Sequence, residues 1–395
     1  MVCRLGSRRG KHLGNICITA WLHRRQVVCR QSHEGIFDRL HRSVFDNGRH
    51  RTRARSSAQA QARQVIRLIH GCKVKAVTLQ LSVDSAAWGR HVSETANSLG
   101  DLIPVVKGNG YGFGRPTLIE HAKKLSSDIA VGTIFEANDV PSDCRAFVLT
   151  PVGKALPPNK NLAKNIVLTV GSVHHVQNLR DANWHGDVVI KLRSSMNRYG
   201  ANPSELGALI AAVHDAGLTQ VGWSVHPPLD GSAQSHGAEI SDIISSVDSN
   251  LPWLVSHIDA ENLANLRKTH VAKKIRVRSG TQLWLGDKSM FELNADVLDA
   301  RLVKSGDVVG YRNITLHQDG TLVMVGAGTS HGVQLVGAEL SPFHFNSTRL
   351  SLVEPSHMHT SMVFVPANQT APKPGDSVDV QQPLTRVYPD IISWI

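Results

Sequence analysis

The chain has 395 residues, of which 41% are hydrophobic and 19% charged, enough for two soluble globular domains. No run approaches the roughly 20 apolar residues that a membrane-spanning helix needs, so we expect no integral membrane protein. The net charge of +11 comes from residues 1–75, with 17 basic and 3 acidic residues; the other 320 residues hold 26 and 29, which argues against a nucleic-acid partner.

Residues 1–75 form a basic extension with little hydrophobic periodicity and an arginine-dense run at 49–57. Four interpretations stay open: an organelle-targeting peptide, a nucleic-acid-binding arm, a membrane-surface tether, or a disordered extension translated from upstream of the true start. The apolar stretch NICITAWL fits neither an amphipathic nor a secretory signal. The sequence therefore does not decide among the four.

Cysteine usage predicts a reducing compartment. The total is odd, and the spacings match neither a zinc site nor a disulfide framework. The body of the chain contains only Cys144, and the basic extension contains Cys3, Cys17, Cys29 and Cys72. We therefore expect a cytoplasmic protein without a bound metal. The lack of a long apolar run argues against a membrane partner as well.

Residues 76–290 repeat a rhythm of a short apolar run, a loop and a helical pattern. The runs are nearly continuous in valine, isoleucine and leucine, as expected of parallel strands that are buried on both faces. They lie at 102–106, 129–133, 146–150, 166–170, 187–193, 220–226, 253–258 and 275–280. Eight such units predict an α/β fold, a (β/α)8 barrel of the TIM type.

The rhythm changes after residue 290. Strand patterns at 295–303, 321–328, 347–356 and 376–384 are separated by turn signals such as KSGD and HQDG, with no room for helices. We predict a smaller C-terminal β domain over residues 291–395. Residues 76–83 are a candidate to pair with it.

Cationic side chains follow several of the predicted barrel strands, where a barrel of this type places its active site. They are Lys107, Lys191, Arg278 and, if protonated, His226. Their convergence on one rim suits an anionic ligand. The glycine at position 280 and the amides after it can cradle a phosphate, or they can form a simple turn.

Lys107 follows four apolar residues and precedes the glycine-rich turn 108–114. Burial and nearby cations lower the pKa of a lysine, as Schiff-base chemistry requires. The ordinary alternative is a strand-end lysine that reaches solvent.

Four segments resemble, in order, the motifs of the alanine racemase family. VVKGNGYGFG (105–114) resembles the pyridoxal-lysine segment VVKANAYGHG, and KLRSSMNRYG (191–200) resembles K-x-D-T-G-M-x-R-x-G. IRVRSGTQLWLG (275–286) resembles V-R-P-G-I-x-L-Y-G, and GDVVGYRN (306–313) resembles G-x-x-V-x-Y-G. The likeness covers residues 76–395 and implies a fold-type III amino-acid racemase that depends on pyridoxal 5′-phosphate.

The resemblance implies that Lys107 holds the cofactor as a Schiff base. Tyr111, Gly280 and Thr281 would contact its phosphate. Arg278, supported by His226, would donate to the pyridine nitrogen, because an always-charged donor discourages protonation of the ring. For Tyr111 the alternative is ordinary loop packing, and for His226 it is a structural histidine.

The resemblance also implies the substrate contacts and a second base. Arg198 would hold a cofactor oxygen and the substrate carboxylate, and the amide of Met358 would assist. Lys191 matches a lysine that many members carry in carboxylated form. Racemisation needs acid–base groups on both faces of the substrate, and Tyr311 of the partner subunit would stand opposite Lys107.

The implied function is interconversion of L- and D-alanine by a homodimer with shared sites, supplying D-alanine for peptidoglycan in a bacterial cytoplasm. Departures from the family pattern keep other substrates open. Phe113 replaces the usual histidine, Thr329 and His331 replace a tyrosine and an aspartate, and His359 follows Met358. The alternatives are a racemase of another small amino acid, a pyridoxal-phosphate-binding protein with little turnover, and a decarboxylase of the same fold.

Overall fold

The computed structural model describes residues 79–154, 156–157 and 165–395. The basic extension lies outside the described residues, and so do the four interpretations of it. The described chain begins with strand β1 (Leu79–Val83), followed by helix α1 (Ser85–Leu99), whose first turn is capped by Asp84 through a 2.8 Å hydrogen bond from the Ala87 amide.

Eight parallel strands then form a closed barrel. They pair in the order β2-β9-β8-β7-β6-β5-β4-β3, and a bridge between Val105 and Ala130 joins the two ends of this order. The strands are β2 (Leu102–Pro104), β3 (Asp128–Val131), β4 (Arg145–Val148), β5 (Ile166–Val170), β6 (Asp187–Lys191), β7 (Thr219–Ser224), β8 (Trp253–Val255) and β9 (Ile275–Ser279). Each lies within or beside one of the eight apolar runs, so the predicted barrel is confirmed.

Helices cover the outside of the barrel. The six after α1 in the described chain are α2 (Arg115–Ala122), α3 (Val173–Asp181), α4 (Pro203–Asp215), α5 (Ala233–Ser245), α6 (Ala260–Thr269) and α7 (Thr281–Leu285). Side-chain caps fix several starts: Ser232 accepts from Ser235 N at 3.0 Å and Asp259 from Asn262 N at 2.8 Å. After β3 a short 3-10 helix (Ile134–Asp139) takes the place of an α-helix.

Apolar side chains fill the inside of the barrel. This inner cluster is separate from the larger cluster between strands and helices, and it consists of Ile103, Val105, Ala130, Phe147, Val167, Val189 and Leu254. A filled interior leaves no room for a ligand along the barrel axis. Binding is therefore directed to the mouth, where the strands end.

The β domain is built around the 13-residue strand β10 (Phe291–Val303). A bulge between Val297 and Asp299 bends this strand, which pairs with β18 through its first half and with β13 through its second. The remaining strands are β11 (Val308–Val309), β12 (Ile314–Thr315), β13 (Gly320–Val325), β14 (Phe343–Phe345), β15 (Thr348–Arg349), β16 (Ser351–Leu352), β17 (Ser361–Pro366), β18 (Ser377–Val380) and β19 (Ile391–Trp394).

The predicted combination of a barrel and a smaller β domain is confirmed, and β1, which precedes the barrel in the chain, belongs to the sheet of the β domain. β1 pairs antiparallel with β10 and parallel with β19. Trp394 of β19 stacks on Phe113, with ring centroids 5.9 Å apart, and meets Trp88 of α1 edge-on at 5.2 Å. Among the described residues, no helix is both long and apolar enough to cross a membrane.

Candidate functional site

Lys107 follows β2 at the mouth of the barrel, on backbone held from both sides. The amide of Val105 donates to Ser279 O at 2.8 Å, and that of Val106 donates to Ala130 O at 2.7 Å. The strand therefore cannot shift without breaking hydrogen bonds to both neighbours, and the side chain of Lys107 starts from a fixed point.

The turn after Lys107 requires glycine at one position for steric reasons. A Cβ on Gly110 would lie 2.5 Å from Arg115 N, and the φ of this glycine is 63°. Tyr111 also has a positive φ, 56°, which is uncommon for a residue with a side chain. This backbone turns the ring of Tyr111 into the protein, where it is buried.

A cavity of about 240 Å³ opens at Lys107. Glu136 lies in its wall and accepts hydrogen bonds from the amides of Gly108, at 3.2 Å, and Gly132, at 2.8 Å. The carboxylate thus ties the Lys107 turn to the end of β3. The cavity is lined by Lys107, Gly108, Asn109, Tyr111, Gly132, Glu136 and Thr385.

The charges around Lys107 are mostly positive. Lys107 is exposed, but its pKa lies below the ordinary value, first because the surrounding protein removes part of the water around its amine, and then because Arg198 and Arg278 repel its charge. Glu136 opposes this effect. The amine is therefore deprotonated at lower pH than a surface lysine, and this favours its use as a nucleophile or base.

Lys191 and His226 lie beside Arg278 and Arg198. The charges of Lys107, Lys191, Arg198 and Arg278 form a cationic cluster at the barrel mouth. Burial, followed by repulsion from Arg278 and Arg198, lowers the pKa of Lys191 to about 7. Burial and repulsion from Arg278 lower the pKa of His226 to about 2, so this histidine is neutral at physiological pH. Its Nδ1 shares a 2.5 Å hydrogen bond with Ser256 Oγ.

Arg278 is also a deeply buried cation of the cluster, with 8% of its surface exposed. Burial lowers its pKa to about 10, so it stays charged. Its Nη2 donates to Val225 O at 2.7 Å, whereas its Nε is buried and has no hydrogen-bond partner in the described part of the chain. A buried, charged N–H without an acceptor is costly, so this atom marks a place for an acceptor that the protein itself does not supply.

Arg198 belongs to an exposed loop that is anchored from outside the barrel. Glu239 of α5 accepts from Ser195 N at 2.5 Å and from Ser195 Oγ at 3.1 Å. Ser194 Oγ donates to His226 O at 2.7 Å. These hydrogen bonds hold the loop beside the cationic cluster.

Tyr111 and Gly280 approach each other closely. A Cβ at position 280 would lie 2.0 Å from Tyr111 Oη and 2.8 Å from its Cζ. Only glycine allows the backbone to come this near to the phenol. Thr281, the next residue, is exposed and lines a second cavity of about 700 Å³ between α7 and the β domain.

We expect Gly280→Ala to lower the free energy of unfolding by about 1–3 kcal/mol, because the new methyl group overpacks the buried Tyr111. Urea unfolding measures this change. Gly207→Ala in α4 is the matched control, since its Cβ would meet nothing within 4 Å and alanine favours a helix. Equal stability of Gly280→Ala and the wild type would contradict the tight contact.

Tyr311 lies in the β domain, at the tip of the β11–β12 hairpin, and 84% of its surface is exposed. Its amide donates to Glu354 Oε1 at 2.9 Å, and its ring lies 4.3 Å from that of His357. Among the described residues of one chain, Tyr311 is not in the wall of the Lys107 cavity. One chain therefore does not bring these two residues into a common pocket.

The segment with Thr329 and His331 packs against the loop of Met358. The amide of Thr329 donates to His357 O at 2.8 Å, and that of Ser330 donates to Met358 O at 2.9 Å. His331 is buried and lies 2.9 Å from Asp390 Oδ2, whereas Met358 is exposed. Two of the residues that depart from the family motifs, Thr329 and His331, thus lie in a segment that packs against the Met358 loop.

Sequence reasoning missed two polar residues in the wall of the Lys107 cavity, Glu136 and Thr385. Glu136 is the first acidic residue after β3, and the strand-end rule could have found it. Thr385 enters the Lys107 cavity from the C-terminal segment, which is held by hydrogen bonds from Asn109 Nδ2 to Leu384 O, 2.8 Å, and Val387 O, 2.6 Å. No local pattern signals Thr385, because a long-range contact places it there.

The sequence-family model of the alanine racemase N-terminal domain matches residues 83–273 of this chain. Residues 83–273 therefore form a domain of the alanine racemase family. It is 25% identical over 235 residues to an alanine racemase of Campylobacter jejuni, covering 57% of this chain and 69% of that protein. It is 22% identical over 267 residues to alanine racemase 2 of Clostridium acetobutylicum, covering 59% and 65%.

Solved structures agree with the family fold. The alanine racemase of Bartonella henselae, solved with covalently bound pyridoxal phosphate, matches with a TM-score of 0.61 and 18% identity over 81% of this chain and 100% of that one. The biosynthetic alanine racemase of Pseudomonas aeruginosa matches with a TM-score of 0.59 and 18% identity over 81% and 100%. At these identities the likeness to alanine racemases concerns the fold.

Proposed function

We propose that this member of the alanine racemase family is a pyridoxal-phosphate-dependent racemase that interconverts L- and D-alanine with two bases, Lys107 and Tyr311. The observation that carries the proposal is the pairing at the barrel mouth of Lys107, whose pKa is lowered, with the unpartnered buried Nε of Arg278. A carbonyl group reacts with such an amine, and a ring nitrogen satisfies such a donor.

The residues present fit pyridoxal phosphate. Arg278 Nε offers a charged donor for the pyridine nitrogen, and the Tyr111 hydroxyl lies against the backbone of Gly280, where the two would contact a phosphate together. The surplus of positive charge suits an anionic group. The relative from Bartonella henselae is described with this cofactor covalently bound, which supports the assignment.

When bound, the cofactor withdraws electrons from the α-carbon of an attached amino acid and so acidifies its α-hydrogen. The residues of this chain do the rest. Lys107 would hold the cofactor and move a proton on one face of the α-carbon. Arg278 would keep its own proton and limit ring protonation, because a guanidinium stays charged.

Arg198 and Lys191 would serve the anionic substrate. The Arg198 guanidinium can bind a carboxylate with two parallel hydrogen bonds, and the anchored loop presents it beside the cavity. With a pKa of about 7, Lys191 is partly uncharged at neutral pH. The uncharged amine is the form that reacts with carbon dioxide, so Lys191 is chemically competent for the carboxylation seen in many members.

Tyr311 would supply the second base, and its exposure points to a second copy of the chain. Proton removal on one face and return on the other needs two groups on opposite sides of the substrate. In a single chain, Tyr311 at the tip of the hairpin and Met358 in the loop before β17 are both exposed. We therefore propose a homodimer in which each barrel mouth is completed by the partner's β domain, with the Met358 amide near the substrate carboxylate.

A racemase of another small amino acid is the second candidate. The observation that favours it is the segment of Thr329 and His331, which packs against the Met358 loop and lacks the usual tyrosine and aspartate. The alanine reaction would supply D-alanine for peptidoglycan in a bacterial cytoplasm; another substrate would place the enzyme elsewhere in metabolism.

The test is to incubate the purified protein with L-alanine, L-serine and L-lysine, with and without pyridoxal phosphate, and to resolve the enantiomers formed. We expect D-alanine, formed faster with added cofactor. D-Serine alone would favour the second candidate. No product from any substrate would overturn the racemase proposal and leave a cofactor-binding protein.

A further inference from the structure

Glu354 is a buried carboxylate in the β domain with three hydrogen-bond donors. It accepts from the amide of Tyr311 at 2.9 Å, from that of Arg312 at 3.0 Å and from His357 Nε2 at 2.7 Å. Only 6% of its surface is exposed. A buried carboxylate with this many donors holds them in fixed positions, because each broken contact leaves a desolvated polar group.

The backbone of the Tyr311 turn, residues 310–313, is built around this carboxylate. A Cβ on Gly310 would lie 2.5 Å from Glu354 Oε1, and Gly310 has a φ of 78°. Glycine therefore lets the turn sit directly on Glu354. Burial alone would raise the pKa of Glu354, but the hydrogen bonds from Tyr311, His357 and Arg312 outweigh it and hold the pKa below the ordinary value. The group is ionised at neutral pH.

His357 connects the same carboxylate to the Tyr311 ring. Its Nε2 bonds to Glu354, and its imidazole lies against the phenol at 4.3 Å with an interplanar angle of 36°. Its backbone is fixed as well, because the amide donates to Thr360 O at 2.9 Å and the carbonyl accepts from Thr329 N at 2.8 Å. The exposed Tyr311 side chain thus has an ordered support on the side of His357.

We propose that Glu354 and His357 are positioning residues for Tyr311: Glu354 fixes the turn and the imidazole, and His357 holds the phenol in the direction from which it exchanges a proton. The proposal rests on the proposed function, because it gives Tyr311 its task. Neither residue needs to touch the substrate. Their effect is confined to the face of the α-carbon that Tyr311 serves.

The decisive experiment measures loss of the α-deuterium from D- and from L-alanine separately. Tyr311→Phe first identifies which enantiomer depends on Tyr311. In Glu354→Gln we expect release from that enantiomer to fall about 100-fold, because misplacing a catalytic group by about 1 Å has an effect of this size. In His357→Ala we expect about a 10-fold fall by the same reasoning. Release from the other enantiomer, through Lys107, is retained.

The controls are surface residues of the same domain with the same chemistry. Glu339→Gln and His317→Ala alter exposed side chains and are expected to leave both exchange rates unchanged. An equal fall for both enantiomers in Glu354→Gln would show a general loss of structure and would overturn the proposal. Unchanged rates in both Glu354→Gln and His357→Ala would overturn it too.

A second measurement does not depend on activity. Hydrogen exchange of the Tyr311 and Arg312 amides should be slow in the wild type and at least about 10-fold faster in Glu354→Gln, since the variant cannot accept all three hydrogen bonds. If the wild type released deuterium from neither enantiomer, the proposed function would fail, and these amides would decide the positioning role alone. Unprotected amides in the wild type would overturn it.

Discussion

Replacing Lys107 with alanine will abolish covalent attachment of pyridoxal phosphate and lower racemase activity by about 10⁴-fold or more, the upper end of what one acid–base group contributes. The reason is structural. Lys107 is the cation that lines the small cavity beside Glu136, and its lowered pKa favours the reactive amine. The visible absorbance of the purified protein with added cofactor, and mass spectrometry after borohydride reduction, measure the attachment.

Two controls separate attachment from charge. Lys107→Arg keeps a cation at the barrel mouth but cannot attach the cofactor, so it should behave like Lys107→Ala. Lys268→Ala removes an exposed lysine from α6 and should behave like the wild type. A reduced adduct at any lysine other than Lys107, with wild-type absorbance in Lys107→Ala, would rule out the cofactor assignment.

Tyr311→Phe is expected to slow racemisation about 10²–10⁴-fold while the cofactor stays bound. Because 84% of Tyr311 is exposed, loss of its hydroxyl should change the stability of the isolated chain by less than about 0.5 kcal/mol. Chiral chromatography gives the rate, and thermal unfolding gives the stability. Tyr388→Phe, another exposed tyrosine, is the matched control.

Mixing two inactive variants tests whether the sites are shared between subunits. A dimer that combines Lys107→Ala with Tyr311→Phe contains one site with both changes and one site with neither. Activity should therefore return when the two proteins are unfolded and refolded together. Full activity of Tyr311→Phe alone would show that another group is the second base.

The barrel could be predicted because its strands are buried on both faces. Such strands are continuous apolar runs whose pattern needs no knowledge of distant partners, and β5 (Ile166–Val170) matched its run without any shift. The β domain was harder. β17 (Ser361–Pro366) ends in proline and was not predicted, although it pairs with β13 and β16 inside the sheet. Its position depends on pairings that local sequence does not show.

The same division holds for the candidate site. Lys107, Lys191 and Arg278 could be found because they follow strands, and parallel strands end on one rim. Glu354 and His357 could not, because a lone acid and a histidine in a loop resemble any solvated pair. Only the fold brings them beneath the Tyr311 turn.

The placement of β1 has a consequence for how the nascent chain matures. Gln80 pairs with Ile391 and with Asn294, so the strand that leads into the barrel completes its sheet only with residues from the far end of the chain. Closing a loop of this length costs entropy before any contact is gained. While the ribosome still holds residues 391–394, β1 has an open edge, and the aromatic cluster of Trp88 and Phe113 lacks Trp394. Chaperone binding during synthesis would be directed to these surfaces.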